Sequence, residues 1–449
     1  MMVKLLIVAD DFTGALDTGI QFAKQGIETQ IFTNELTERT AIAPNTQVLV
    51  VNSDTRHLSG AEAGKVTGDI VSWAVQREIP TIYKKTDSAL RGNIGSELEA
   101  ALTKSGQHTL YFIPALPEMN RVTISGTHYI DGVPLEYSMF GKDPFEPVRS
   151  SYIPRIISEQ SQIPVRCIEV SEPMPDPASD KQIFVFDIQT REDMHNRVKE
   201  LREKNCLTLL AGCAGFAAFL PKALGLEGRK SEKQVRTQGL FVACGSLNPI
   251  TREQVEYAEA EGYVRIRLTP EQKLMPSYYD KAVGRSFLHD LYAVCEENSR
   301  VIIDTFDEET GENTIEYADR HGIPRDKIRF SITACHGKIL RYLAERGLPY
   351  TMLITGGDTL MGFMKEMGCG QLHPVCEIAR GAVLSNLKWR GKTIPVISKS
   401  GGFGDREVMV KIGDQVIAQG GRENEICNDP GSMPGGDEAA GGESRYLCG

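Results

Sequence analysis

Short apolar runs alternate with stretches of helical periodicity along most of this 449-residue chain. This alternation is typical of α/β folds, in which a mostly parallel sheet carries helices on its faces. The strand-like runs are 4–9, 48–51, 81–84, 109–113, 183–187, 208–211, 240–243, 300–304, 352–354 and 393–397. Because a chain of this length is too long for one core, we predict two α/β domains with mostly parallel sheets.

Two polar segments mark the predicted domain limits. The run 226–236 is short and charged and lies between a helical stretch and a new strand, which is typical of a linker. We therefore predict a first domain over 1–228 and a second over 237–422. The remainder, 423–449, is rich in glycine and poor in large apolar residues, so we predict a disordered tail. Prolines, glycines and aromatics interrupt the alternation over 114–155, which is typical of a functional loop.

The composition restricts the classes of partner and the compartment. With 60 acidic and 50 basic residues the net charge is −10, which argues against nucleic acid or an acidic membrane surface as the main partner. We expect no secretion signal and no membrane-spanning segment, since no apolar run is long enough. The 10 cysteines show neither a CxxC nor a Cys/His metal spacing, which fits reduced thiols in a cytoplasm. We expect a cytoplasmic protein.

A pair of aspartates, Asp10 and Asp11, follows directly on the apolar run 4–9. Such a run is typical of a strand buried on both faces, and open α/β sheets bind ligands at the carboxyl ends of their strands. Adjacent carboxylates there can hold a hydroxylated ligand, a metal ion or a proton. Either one can instead cap the helix predicted over 14–24. We take both as candidate catalytic residues.

Further polar side chains follow two more strands of the first half. Those with cationic, acidic or hydroxyl groups are Arg56, Lys84, Lys85, Thr86, Asp87 and Arg91. Arginine can hold a carboxylate through two parallel hydrogen bonds, and acidic side chains accept from sugar hydroxyls. With the aspartate pair, this mixture suits a polyhydroxylated anion. Taken singly, the two lysines are more typical of a solvated pair, and the run 91–93 is equally typical of a helix N-cap turn.

The second half contains three strand ends that run into turns of small residues. These turns are 244–249, 355–359 and 398–405. Glycine lets the backbone approach a ligand closely, and amides at a helix start bind phosphate. None of the turns matches a P-loop or a dinucleotide fingerprint. Together they predict a phosphate site along one edge of a sheet, to which Lys399 adds charge unless it is a solvated surface lysine.

One half suited to a hydroxy acid and one suited to phosphate indicate phosphoryl transfer across an interdomain active-site cleft. The chain resembles the four-carbon acid sugar kinase family, which includes D-threonate, D-erythronate and 3-oxo-tetronate kinases. The matching stretches are 9–15, 54–56, 84–93, 114–117, 132–134, 143–144, 356–359 and 400–404. Two features depart from the family's pattern: the run 120–126, which bears on the exact substrate, and Gly402, where many relatives carry asparagine.

The resemblance implies that the N-terminal domain binds a sugar acid and the C-terminal domain binds ATP. The substrate-binding positions that it implies are Asp11, Arg56, Lys84, Lys85, Thr86 and Asp87. The implied ATP-binding positions are Ser246, Gly356, Gly357, Asp358, Thr359 and Gly401, with Gly402 beside them. We expect ATP to phosphorylate the terminal hydroxyl of a D-threonate or D-erythronate type acid, giving the 4-phosphate, with Mg²⁺ as the second cofactor.

Phosphoryl transfer needs positioning, a base and positive charge, and each has a candidate here. One aspartate of the pair orients or deprotonates the hydroxyl, and Asp11 is the expected substrate contact. Arg56, with Lys84 or Lys85, holds the carboxylate of the acid. Asp358 meets the magnesium ion or its waters.

Other interpretations stay open from the sequence. The chain can be a kinase for an oxidised or branched sugar acid, such as a 3-oxo-tetronate. A non-catalytic sugar-acid sensor would need a damaged nucleotide site, and a dehydrogenase would need a dinucleotide fingerprint, which the chain lacks. The sequence fixes neither the preferred acid nor the phosphorylated hydroxyl, and it leaves open whether the chain is a homodimer.

Overall fold

A computed structural model of the chain describes residues 3–33, 36–37, 40–142, 147–229, 237–308 and 310–417. The tail predicted over 423–449 lies outside these residues, as does much of the predicted linker. Strands and helices alternate through both halves, which confirms the α/β prediction.

The strands of the described residues are β1 (Leu5–Ala9), β2 (Thr29–Phe32), β3 (Val48–Asn52), β4 (Thr81–Lys85), β5 (Thr109–Ile113), β6 (Arg121–Ile124), β7 (Thr127–Ile130), β8 (Val133–Pro134), β9 (Val165–Ile168), β10 (Gln182–Phe186), β11 (Leu209–Gly212), β12 (Gly239–Cys244), β13 (Val264–Arg267), β14 (Arg300–Asp304), β15 (Tyr350–Thr355), β16 (Gln371–Ala379), β17 (Ala382–Trp389) and β18 (Lys392–Lys399).

The helices are α1 (Phe12–Ala23), α2 (Gly60–Gln76), α3 (Ile94–Ser105), α4 (Ile153–Ser158), α5 (Arg191–Glu203), α6 (Ala214–Ala217), α7 (Leu220–Ala223), α8 (Pro249–Ala260), α9 (Pro270–Leu274), α10 (Ala282–Glu297), α11 (Thr314–Arg320), α12 (Arg325–Glu345), α13 (Gly357–Glu366) and α14 (Val408–Val416). In the part of the chain that the structure describes, none of these helices is both long and apolar enough to cross a membrane.

The strands of the first half form a parallel sheet in the order β2-β3-β1-β4-β11-β5-β10-β9. Every residue of β1, β3, β4 and β5 is buried, as expected for central parallel strands covered by helices on both faces. The second half has its own parallel set, β13-β14-β12-β15-β18. The carboxyl ends of neighbouring strands therefore meet at one edge within each half.

A pair of long strands, β16 and β17, joins the two halves into one 15-stranded sheet. β17 pairs antiparallel with both β18 and β16, and β16 pairs antiparallel with β2 at Gln371–Phe32 and Leu372–Ile31. A side-chain hydrogen bond of 2.8 Å from Gln30 Nε2 to Gln371 Oε1 reinforces this junction. The sequence analysis did not predict these strands, and the sheets of the two predicted domains are continuous.

A small antiparallel sheet, β6-β7-β8, lies within the segment predicted to be an irregular loop. The prediction of irregular structure over 114–155 is therefore wrong in part. Turns with a positive φ at Asn120, Ser125 and Asp131 bend the chain between these short strands. The small sheet attaches to the main body through a bridge between Thr123 and Ile188, and it carries Arg121 toward the turn that follows β4.

Candidate functional site

Three strands of the first half bring the predicted acidic and basic residues to one edge. β1 lies between β3 and β4, and Ala9 at its end is aligned with Asn52 on one side and Lys85 on the other. The turns that follow these strands begin next to each other as a result. The sheet register thus gathers side chains that lie far apart along the chain, such as Asp11 and Asp87.

Arg56 links the two aspartates that follow β1. Its Nε lies 2.7 Å from Asp10 Oδ2, and its terminal NH2 lies 2.9 Å from Asp11 Oδ1. Asp10 is almost fully buried, and its Oδ1 has no hydrogen-bond partner among the described residues. Asp11 is partly exposed and also accepts a hydrogen bond of 3.0 Å from Gly14 N, so it caps α1 as well. The cap and the ligand interpretations of Asp11 are therefore compatible.

The two aspartates differ in basicity. Burial alone would raise the pKa of Asp10, but the charges of Arg56, Lys84 and Lys85 outweigh it and hold that pKa below its usual value. Burial raises the pKa of Asp11, and the negative charge of Asp10 adds to this rise although Arg56 opposes it. Asp11 therefore has the carboxylate that takes up a proton more readily.

Lys84 is buried and forms an ion pair within the protein. Its Nζ lies 3.2 Å from Glu97 Oε2, and both side chains are at most 2% exposed. The same Nζ donates to the backbone oxygen of Lys85 at 2.8 Å, and Thr55 Oγ1 donates to Glu97 Oε1 at 2.5 Å. The expectation of a solvated lysine pair is wrong, because β4 carries both lysines into the interior of the sheet.

Lys85 lies over the first turn of α1. Its Nζ donates to Thr86 O at 2.7 Å, and a Cβ added at Gly14 would lie 2.8 Å from that Nζ. Glycine at position 14 therefore leaves space for the ammonium group beside the aspartate pair. Thr86 follows with a buried hydroxyl that has no hydrogen-bond partner among the described residues.

The turn after β4 is held by a second arginine. Arg91 Nε lies 2.7 Å from Asp87 Oδ2. Burial opposes the charged form of Asp87, but Arg56 and Arg91 outweigh it and hold the pKa of Asp87 well below its usual value. Asn93 stands at the N-cap position of α3 without a capping bond, and its Nδ2 instead donates to Thr55 O at 3.1 Å. The run 91–93 thus connects two turns of the site.

Three glycine-containing turns of the second half also share one edge. β15 lies between β12 and β18, with Cys244 aligned to Thr355 and Thr355 aligned to Lys399. The turns that follow these strands are therefore adjacent, as the sequence analysis expected.

Glycines allow these turns to pack closely. A Cβ added at Gly245 would lie 2.1 Å from Thr359 Oγ1, and one at Gly401 would lie 2.3 Å from Ser246 Oγ. Thr251 Oγ1 donates to Gly401 O at 2.8 Å, which fixes the last turn against the start of α8. Gly402, by contrast, is exposed, and a Cβ added there would make only an ordinary contact of 3.7 Å with Asn248 Nδ2.

Gly356 and Gly357 begin α13 at the end of β15. Gly356 has a φ of +92°, a conformation that favours glycine, and its N donates to Lys399 O at 3.0 Å. Lys399 is 2% exposed, and burial lowers its pKa to about 8. It is therefore not a solvated surface lysine, and its Nζ donates to Ser400 O at 3.0 Å.

The described residues contain no cluster of three or more His, Cys, Asp or Glu side chains that could hold a metal ion. Asp358 is exposed in the first turn of α13. Magnesium in nucleotide sites is commonly held by one or two carboxylates together with phosphate oxygens and water. One exposed carboxylate at a turn predicted to bind phosphate fits that set of donors.

The two groups of turns meet at the starts of α1 and α13. A Cβ added at Gly357 would lie 2.7 Å from Thr13 Oγ1, two residues after Asp11. Asn52, at the end of β3, also contacts Met361 Sδ of α13 at 4.0 Å. The aspartate pair and the turn at 356–359 therefore lie close together, although they belong to different halves of the sequence.

Several residues of this arrangement were not predictable from the sequence. Glu97 gave no signal, because one acidic residue within an amphipathic helix is unremarkable in a sequence. Asp17 is another residue that the sequence did not single out, and burial raises its pKa to about 7. Arg121 fell in the run 120–126, which was noted only as a departure from the family's pattern. An arginine in an otherwise apolar and small-residue segment was the available signal.

Two family models cover most of the chain. A sugar-binding N-terminal domain matches residues 5–220, and a nucleotide-binding C-terminal domain matches residues 241–409. The chain is similar to the D-threonate kinase of Salmonella typhimurium strain LT2, with 27% identity over 422 residues, 91% of this chain and 97% of that protein. It is 26% identical over 428 residues to the 3-oxo-tetronate kinase of Methylobacterium radiotolerans, covering 90% of this chain and 97% of that protein.

Further relatives and solved structures extend the comparison. The D-erythronate kinase of Heliobacterium modesticaldum is 26% identical over 270 residues, 58% of this chain and 61% of that protein. A crystal structure from Salmonella typhimurium LT2 superposes with a TM-score of 0.75 at 20% identity, covering 91% of this chain and 98% of that one. A Haemophilus influenzae crystal structure gives 0.69 at the same identity and coverage. The similarity to these two crystal structures shows the fold of this chain.

Proposed function

We propose a function from the premise that this chain belongs to the four-carbon acid sugar kinase family: it transfers the γ-phosphoryl group of ATP to the terminal hydroxyl of a four-carbon sugar acid. The observation that carries this proposal is the close approach of Gly357 to Thr13, since a Cβ added at Gly357 would lie 2.7 Å from Thr13 Oγ1. It supports the proposal because a turn suited to phosphate then lies near a pair of aspartates suited to a hydroxyl group. Phosphoryl transfer requires these two chemistries in one space.

Asp11 is the general base of the proposed reaction. Its carboxylate is partly exposed, and its raised pKa favours proton uptake from the attacking hydroxyl. Arg56 holds both aspartates in place through its two short contacts, and Asp10 stays ionised beside it. Lys85 supplies positive charge close to Asp11 for the phosphoryl group as it transfers.

The three glycine turns bind ATP in this proposal. The backbone amides at the start of α13 face the phosphates, and Ser246 with the turn at 400–404 closes the other side. Asp358 would hold Mg²⁺, which neutralises phosphate charge when it is bound. Closure of the two halves over the substrates would exclude water from the reaction.

A panel of four-carbon acids tests the proposed substrate class. We expect ATP consumption with D-threonate, D-erythronate or 3-oxo-tetronate, and a phosphate ester on the terminal carbon by NMR. The acids share a carboxylate at one end and a primary hydroxyl at the other, and the turns that follow β1, β3 and β4 carry the cations and carboxylates that suit these two ends. A protein that binds ATP but consumes it with none of these acids would contradict the substrate class.

Two neighbouring glycines give a matched test of the ATP site. We expect Gly401→Ala to raise the KM for ATP by about tenfold or more, because its Cβ would lie 2.3 Å from Ser246 Oγ and displace that side chain or the turn. Gly402→Ala is the control, since the nearest atom to its Cβ is Asn248 Nδ2 at 3.7 Å. The KM for the sugar acid should stay unchanged in both variants. Equal effects of the two substitutions on ATP would count against this placement of the nucleotide.

A further inference from the structure

The cations of the sugar-acid half differ in how far their charge is already neutralised. Arg56 contacts both Asp10 and Asp11, and Lys84 pairs with Glu97. Arg91 pairs with Asp87 in the same way. A substrate carboxylate that approached any of these groups would compete with a carboxylate of the protein.

Arg121 differs from these three cations. Lys85 also lacks an ion pair among the described residues, but its Nζ lies beside Asp11, where the phosphoryl group would transfer. The NH1 of Arg121 contacts Ser88 Oγ closely, yet Arg121 forms no ion pair with any described residue. Its Nε is buried and has no hydrogen-bond partner among the residues that the structure describes. A guanidinium group carries five N–H donors, so most of the hydrogen-bonding capacity of Arg121 is unused among the described residues. Such a group, next to the substrate turn, is suited to an anion.

The surroundings of Arg121 hold it in a fixed orientation. Its guanidinium lies 5.3 Å from the centre of the Phe140 ring, and Arg91 lies 5.2 Å from the same ring. His128 Nε2 contacts Ser88 O at 3.0 Å. Burial lowers the pKa of His128 to about 4, and Arg121 adds to this effect, so this imidazole is neutral near pH 7. The small sheet thus contributes Arg121 as a cation beside the turn that follows β4.

We propose that Arg121, rather than Arg56, binds the carboxylate of the sugar acid, with Ser88 and Phe140 orienting its guanidinium. This inference rests on the proposed kinase function and assigns the end of the substrate opposite to the phosphorylated hydroxyl. Ser88 directly follows the run Lys84–Asp87, so the acid would extend from the small sheet toward Asp11. The small sheet then selects acids over neutral polyols of the same length.

Replacement of Arg121 by methionine tests the assignment through discrimination between an acid and its neutral counterpart. We expect Arg121→Met to lower kcat/KM for the tetronate by on the order of 100-fold, because a bidentate charged contact is lost. The value for the matching tetritol, in which a primary alcohol replaces the carboxylate, should change little. The KM for ATP should also stay the same.

Arg191→Met is the matched control. Arg191 is 74% exposed, pairs with Glu118 and lies over the Phe219 ring, so it reproduces the arginine–ring contact of Arg121 away from the substrate turns. Its removal should leave the preference for the acid intact. Retained acid preference in Arg121→Met, at normal ATP affinity, would overturn the inference.

Two further variants separate a binding role from a structural one. Arg121→Lys keeps the charge without the bidentate geometry, so we expect an intermediate loss of acid preference. Ser88→Ala keeps Arg121 and removes its hydroxyl contact, so we expect weaker tetronate binding, seen as a smaller rise in the KM for the tetronate. If both variants fold and show the acid preference of the wild type, the assignment is wrong even where Arg121→Met fails to fold. If the wild-type protein phosphorylates no tetronate, the proposed function fails instead, which is a distinct result.

Discussion

Replacement of Asp11 by asparagine is expected to lower kcat by about 10²–10⁴-fold, the usual contribution of a general base. The amide is nearly isosteric, and its oxygen can still cap the first turn of α1 by accepting from Gly14 N. The charge that would take the proton is lost, whereas the nucleotide turns lie in the other half of the chain. Turnover with a tetronate and the Kd for ATP, measured on the same preparation, therefore give the test.

The pH dependence gives an independent check of Asp11 as the base. A base acts only when it is deprotonated, so turnover should fall as the pH is lowered through the pKa of Asp11. Because burial raises that pKa, the loss should begin at a higher pH than for an exposed aspartate. The residual activity of Asp11→Asn should lack this fall at low pH, the acidic limb of the pH profile.

Asp17→Asn is the control for the pH experiment. Asp17 lies on the same helix, and burial raises its pKa to about 7, so it also titrates near the working range. It should keep most of the turnover and the acidic limb assigned to Asp11. A limb that disappears in Asp17→Asn and persists in Asp11→Asn would identify Asp17 as the controlling group instead.

The positions of the site residues were predictable where a strand end determines them. Asp10 and Asp11 follow β1, and the turn at Gly356 follows β15, so the rule for ligand sites in open sheets places each of them correctly at an edge. Periodicity also identified the central strands to within about two residues, because parallel strands buried on both faces are continuous apolar runs.

The partners of these residues were not predictable, because they depend on contacts that no spacing rule reports. For Lys84 and Lys399 a solvated position stayed open as an alternative to a binding role, since lysine is seldom buried unless it is paired. Lys84 lies within β4 and Lys399 ends β18, both side chains are buried, and Glu97, the partner of Lys84, comes from a helix. The strands β16 and β17 were missed for a related reason. β16 alternates buried and half-buried residues, and without its neighbours this pattern is a weak signal.

Replacement of Lys84 by methionine is expected to destabilise the fold strongly. The Glu97 carboxylate would remain buried without its cation, which typically costs about 3–5 kcal/mol. For a cooperative unit of roughly 150–250 residues, such a loss lowers the Tm by roughly 6–20 °C. Thermal unfolding followed by circular dichroism measures the effect, and Lys199→Met, an exposed lysine paired with Glu203, is the control with little expected change.

The double variant Lys84→Met/Glu97→Gln separates stability from substrate binding. Glutamine removes the unpaired charge and can still accept from Thr55 Oγ1, so most of the lost Tm should return. If the role of Lys84 is only to neutralise the buried Glu97 carboxylate, the rescued protein should keep a KM for the tetronate near that of the wild type. If the rescued protein is stable but no longer binds the tetronate, Lys84 contacts the substrate directly, as its place in the family's motif implies. No recovery of the Tm would mean that the destabilisation arises from lost packing or backbone contacts of Lys84 rather than from the unpaired charge.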